Sequence, residues 1–256
     1  MTGPETAHDA TDPTPSPFAH VARPWTPADA LLLTLFMLSI SVLGSLVLKA
    51  VLARSFTDTV TTLLVGGTLT LGYVIELAVV RAVSTSRGQG FRAAIGLVRP
   101  AGSSTVAWIA IATGGAVSAR VFAALYALLV ERFGLHLPGA SSDPLSLFPG
   151  GGISVVVLLA VVVLIAPFAE EVIFRGVLLP ALGVGWGTLA GLLASSALFA
   201  AFHLSPYLLL PIFAASLVFG WLAIRFRSLW PSYLAHAVFN GTAAVLVLFL
   251  KSRGLV

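Results

Sequence analysis

Seven stretches of this chain stay apolar for about 20 residues, the length a helix needs to cross a ~30 Å hydrocarbon core. They cover roughly residues 30 to 53, 60 to 83, 106 to 130, 153 to 179, 188 to 203, 207 to 224 and 230 to 250. Lipid offers no water to bond a backbone amide, so each run is expected to be a helix. The fold class that follows is all-α, a polytopic transmembrane helix bundle of about seven spans. Only 9% of the residues are charged, against about 25% in soluble domains.

No polar stretch between the runs is long enough for a separate soluble domain. One membrane domain, residues 29–256, is therefore expected behind a tail, residues 1–28. That tail is rich in Pro, Thr, Ala and Asp. It lacks the basic start and apolar centre of a signal peptide and is expected to be disordered and cytoplasmic.

The connecting segments carry most of the charge. Ser84 to Ser104 holds Arg87, Arg92 and Arg99, and its middle, Gly90 to Val98, is expected to be a short interfacial segment. Glu131 to Gly152 reads as a loop, and Pro180 to Gly187 as a turn. With the N-terminus inside, seven loop cations lie on the cytoplasmic side and five opposite, which favours an N-in, C-out arrangement. The net charge of +4 is spread through loops and forms no basic face, so nucleic acid is not an expected partner. The absence of cysteine removes disulfides, thiolate nucleophiles and cysteine-bound metals. No internal repeat supports a transporter.

Ionisable residues inside an apolar span are functional candidates. The fourth run carries three, in Pro167-Phe168-Ala169-Glu170-Glu171-Val172-Ile173-Phe174-Arg175. Glu171 and Arg175 are four apart, with the acid on the N-terminal side, the favourable order for a helical ion pair. Glu170 points about 100° away and has no cation built into its own helix, which suits a general base. Phe199 and His203 are also four apart, as are His236 and Asn240 on the last run. Glu, His and His-plus-Asn on three helices can converge on a water and a developing oxyanion. Glu76 and Arg120 are expected to pair with each other across the second and third spans.

Glu170-Glu171-x-x-x-Arg175, Phe199-x-x-x-His203 and His236-x-x-x-Asn240, in that order on successive apolar segments, resemble the three motifs of the CPBP intramembrane proteases. That family is also called Abi or type II CAAX protease-like, and the resemblance covers roughly residues 153 to 250. It implies an integral, multi-pass protein of the cell membrane that hydrolyses a peptide bond in a hydrophobic or lipidated membrane-associated substrate. Glu170 would activate water with His203 as partner. His236 and Asn240 would complete the site, and Glu171, Arg175 and Phe199 would support it. A metal-free mechanism is favoured; if zinc were used, Glu170, His203 and His236 would be its ligands. The alternative is a non-catalytic membrane protein that binds a partner or confers bacteriocin immunity.

Overall fold

The computed structural model describes residues 18, 25–54, 56–139 and 152–253. The expected tail lies mostly outside these residues, as does the centre of the Glu131 to Gly152 loop. Every regular element among the described residues is helical. These are α1 (Pro27–Leu52), α2 (Asp58–Ser86), α3 (Phe91–Ala94), α4 (Thr105–Arg132), α5 (Ile153–Trp186), α6 (Thr188–Ala201), α7 (Pro206–Phe226) and α8 (Leu229–Ser252).

Polar side chains start the long helices where the apolar runs begin. Thr26, with Asp29 and Pro27, forms a capping box on α1, while Thr57, Ser104 and Ser205 accept backbone N–H bonds at the starts of α2, α4 and α7; such caps satisfy amides that have no partner within the helix. The outward faces of α1, α2 and α4 expose rows of Leu, Val and Ile, a surface suited to lipid.

Six of the helices are long and apolar enough to cross a membrane: α1, α2, α4, α5, α7 and α8. The expected fifth span is α6, only 14 residues, about 21 Å long. The reason is that α5 does not stop at Pro180. The expected turn from Pro180 to Gly187 is instead helix as far as Trp186.

A proline inside a helix lacks an N–H and clashes with the preceding turn. Here both prolines follow a π-helical turn: Val161–Ile165 lies just before Pro167, and Phe174–Leu178 just before Pro180. Each widened turn bonds five residues back, from Ala166 N–H to Val161 O and from Leu179 N–H to Phe174 O, so the helix continues past the ring.

The chain then reverses at Gly187, whose φ of 89° suits glycine. A Cβ on Gly191 would lie 2.5 Å from the backbone nitrogen of Gly183, which is how closely α5 and α6 approach.

The segment after α2 packs one face against the bundle. Ala94 and Ile95 are fully buried, Trp25 Nε1 donates to Ala94 O, and Leu229 N–H donates to Gly96 O. Ala101 N–H reaches Phe226 O, and Ser228 Oγ donates to Val98 O. The turn between α7 and α8 is thereby tied to this segment, with Phe226 and Ser228 buried and Arg227 exposed.

The expected Glu76–Arg120 pair does not form. Arg120 donates to the Phe239 carbonyl, and its guanidinium lies 3.7 Å from the centre of the Phe239 ring. The contact clamps α4 to α8 instead.

Candidate active site

Glu170 lies at the midpoint of α5, 17 residues before Gly187, and His203 lies 16 residues after it. The two are thus at nearly the same depth, about 25 Å from the reversal. Had the turn begun at Pro180, the depths would have differed by several ångströms; continuing α5 to Trp186 aligns them.

Glu171 and Arg175 pair as expected, Oε1 to Nη1 at 3.0 Å, with both side chains almost fully buried. Arg175 Nη2 also donates to Ser216 Oγ at 2.7 Å and Ser216 O at 3.1 Å, and the guanidinium packs 4.6 Å from the centre of Phe199. Glu171 does more than pair. It accepts from Ser232 Oγ, and its Oε1 lies 2.9 Å from His236 Nδ1. A carboxylate that accepts at Nδ1 puts the proton there and fixes the ring, so Nε2 faces away from Glu171. Phe219 stacks on the same ring at 4.8 Å, and Phe199 meets it edge-on.

That orientation brings His236 Nε2 to 3.7 Å from Glu170 Oε2. The other carboxylate oxygen of Glu170 accepts from Tyr73 Oη at 2.8 Å. Glu170, unaccompanied in its own helix, thus gains partners from α2 and α8.

His203 stands in the turn after α6, with Nδ1 2.9 Å from Phe199 O. A carbonyl can only accept, so Nδ1 carries the hydrogen and Nε2 keeps its lone pair. The next residue, Leu204, has a left-handed backbone at φ 50°, uncommon for a side chain of that kind.

Asn240 Nδ2 donates to Val162 O at 2.9 Å. Ala166 N–H is engaged by Val161 O, and the next candidate donor is Pro167, which has none. Asn240 therefore supplies the bond that the proline withholds, and one of its two amide hydrogens remains for other use.

Two cavities meet at these groups and share Val162, Phe199, His203 and Asn240 as walls. One, about 550 Å³, is also lined by Tyr73, Glu76 and Glu170. The other, about 290 Å³, is lined by His236, Phe219 and apolar residues of α7 and α8.

Residues 152–242 match a family model described as type II CAAX prenyl endopeptidase Rce1-like. This stretch is an Rce1-like domain, matching the CAAX protease family. No curated protein and no solved structure matches the chain. The Rce1-like stretch contains every site residue read from the motifs: Glu170, Glu171, Arg175, Phe199, His203, His236 and Asn240. It is a domain of a protease family, and its helices make the chain an integral multi-pass membrane protein.

Sequence reasoning missed three residues of the site. Tyr73 and Glu76 lie outside the Rce1-like stretch, on α2; a tyrosine three residues before an intramembrane acid was the available signal, since i and i+3 share a helix face. Ser232 was also legible, four residues before His236 on the same face. Among the described residues no three His, Asp or Glu side chains stand close enough to share a metal ion. In both histidines the bond at Nδ1 leaves the Nε2 lone pair free.

Proposed function

We propose that this protein is an intramembrane endopeptidase that hydrolyses a peptide bond of a hydrophobic or lipidated, CAAX-type membrane-associated substrate with a water activated by Glu170. The observation that carries this reading is the placement of Glu170 at mid-helix, facing a cavity bounded by His203 and Asn240, with Tyr73 donating to one of its oxygens and the His236 ring 3.7 Å from the other. Glu170 takes a proton from the water as its oxygen attacks the carbonyl carbon. The same proton passes to the amide nitrogen as the C–N bond breaks, so acid and amine leave in balance. His203 Nε2, with its lone pair, holds the water. The spare amide hydrogen of Asn240 is available to the developing oxyanion. Exclusion of bulk water by the apolar bundle strengthens each of these interactions.

The reaction is read as metal-free, because a water held by Glu170 and His203 accounts for these residues without an ion. The N-terminus is read as cytoplasmic, supported by Arg81, Arg87, Arg92 and Arg99 clustering between α2 and α4. A cysteine at position 90, labelled only from the opposite side, would reverse that orientation.

The test uses detergent-purified wild type and Glu170→Gln with prenylated and unprenylated hydrophobic peptides, with and without chelator. Loss of a positioned general base removes about 10²–10⁴-fold in rate. Equal cleavage by the two proteins would sink the assignment, and binding without cleavage would favour the partner-binding alternative. Activity lost to chelator and restored by zinc would overturn the metal-free reading.

A further inference from the structure

Glu76 is a carboxylate without a counter-ion in the site's own cavity. It is 5% exposed, its Oε2 has no hydrogen-bond partner, and it lines the same 550 Å³ cavity as Glu170 and His203. No Lys or Arg lines that cavity. Two arginines inside the bundle are committed elsewhere: Arg120 to the carbonyl and ring of Phe239, and Arg175 to Glu171 and Ser216. The hydroxyl of Tyr73, three residues earlier on the same face of α2, is donated to Glu170.

Burying a carboxylate costs several kcal/mol unless a cation or strong donors compensate, and buried acids in membrane helices are found facing partners or cavities. An unmatched acid aimed into a substrate cavity is therefore a site for a cation brought by the substrate.

We propose that Glu76 binds an organic ammonium or guanidinium presented by the peptide in the cavity. This rests on the endopeptidase reading, which offers two sources. One is a basic side chain near the scissile bond. The other is the amino terminus released by cleavage, since hydrolysis of a peptide bond at neutral pH yields a carboxylate and an ammonium. In either case Glu76 makes the site selective for charge at a position where the surrounding walls, Met37, Leu69, Val161 and Phe202, would select for apolar groups alone.

Equilibrium binding to the full chain in detergent micelles reads this without requiring turnover. One arm compares fluorescent hydrophobic peptides that carry lysine or norleucine beside the intended scissile bond. The other compares tripeptides with a free or an acetylated amino terminus as competitors. Wild type should bind the charged member of at least one pair tenfold or more tighter; the lysine pair identifies the side chain, the tripeptide pair the released terminus. Glu76→Gln should collapse that ratio to within about twofold of unity, and Glu76→Asp should keep most of it. If Glu76→Gln does not fold, Glu76→Leu supplies a neutral variant that needs no polar partner. A ratio near unity for both pairs in wild type, or an unchanged ratio in the neutral variants, overturns the proposal. Binding selectivity without any cleavage retains the cation site and overturns the endopeptidase reading alone.

Discussion

Replacing Arg175 by Met and Glu171 by Gln, singly and together, isolates the brace that holds the site. Arg175 and Glu171 have side chains 1% and 0% exposed and stand 3.0 Å apart, so neither can recover solvation when the other is removed. Removing one partner of a buried pair costs about 3–5 kcal/mol, most of it the uncompensated charge left behind. For a chain of 150–250 residues each kcal/mol moves the melting temperature by about 2–4 °C. Arg175→Met should thus melt roughly 6–20 °C below wild type. The double variant should cost less than the sum of the singles, because it buries no orphaned charge; the coupling expected for contacting groups is about 0.5–3 kcal/mol. Melting of the purified proteins in one detergent, followed by circular dichroism, gives all four values. Arg175→Met should also lose peptide cleavage well below its melting temperature, because Glu171 fixes His236 through Nδ1. A single variant melting within about 2 °C of wild type, or strictly additive losses, would refute the claim that the pair is a buried brace.

Tyr73→Phe deletes only the hydroxyl that donates to Glu170. A hydrogen bond to a charged group is worth about 1.5–3 kcal/mol, so kcat/KM should fall about ten- to hundredfold with the fold intact; an unchanged kcat/KM refutes the role. Gly191→Ala puts a Cβ against the Gly183 backbone and should destabilise by about 1–3 kcal/mol through overpacking, read as a lower melting temperature; a neutral effect would mean that α5 and α6 are farther apart. Arg120→Met should lower stability by the same amount, within about 0.5 kcal/mol, in wild type and in Glu76→Gln, whereas strong coupling would restore the direct pair expected from sequence.

The helical character of the chain and the Glu171–Arg175 pair were legible because both follow from local rules. Long apolar runs must be helices in lipid, and spacing of four residues stacks Glu171 on Arg175 and His236 on Asn240. What was not legible depended on contacts between helices. Pro180 reads as a breaker in isolation; it is tolerated because the π-helical turn before it lets α5 continue. Opposite charges on successive spans suggested that Glu76 meets Arg120, but packing offers Arg120 an aromatic face and a carbonyl on α8, while Glu76 turns to the cavity. Helical phase separated Glu170 from Arg175 correctly, yet it could not foresee Tyr73, 97 residues away. The charges of the Gly90 to Val98 segment could not show that Ala94 and Ile95 are buried, a contact that depends on Trp25 and Leu229.

These interhelical contacts share a simple geometry that explains why the polar groups of α5 and α8 meet where they do. Ser232, His236 and Asn240 are successive fours on one face of α8. The first two bond to Glu171 and the third to Val162 O. Eight residues forward on α8 therefore correspond to nine residues backward on α5, about 12 Å against about 13.5 Å, as antiparallel neighbours require. The lower contact exists because Pro167 leaves the Val162 carbonyl without a backbone donor, and the upper one because Glu171 needs more acceptor bonds satisfied than Arg175 alone supplies. Glu170 lies between the two contacts, three residues past the proline. One of its oxygens accepts from Tyr73, the other lies 3.7 Å from His236 Nε2, and the carboxylate lines the cavity. A proline that would interrupt an ordinary span and an asparagine that lipid would exclude are thus paired with each other. Their pairing fixes the depth at which α8 presents His236 to Glu170.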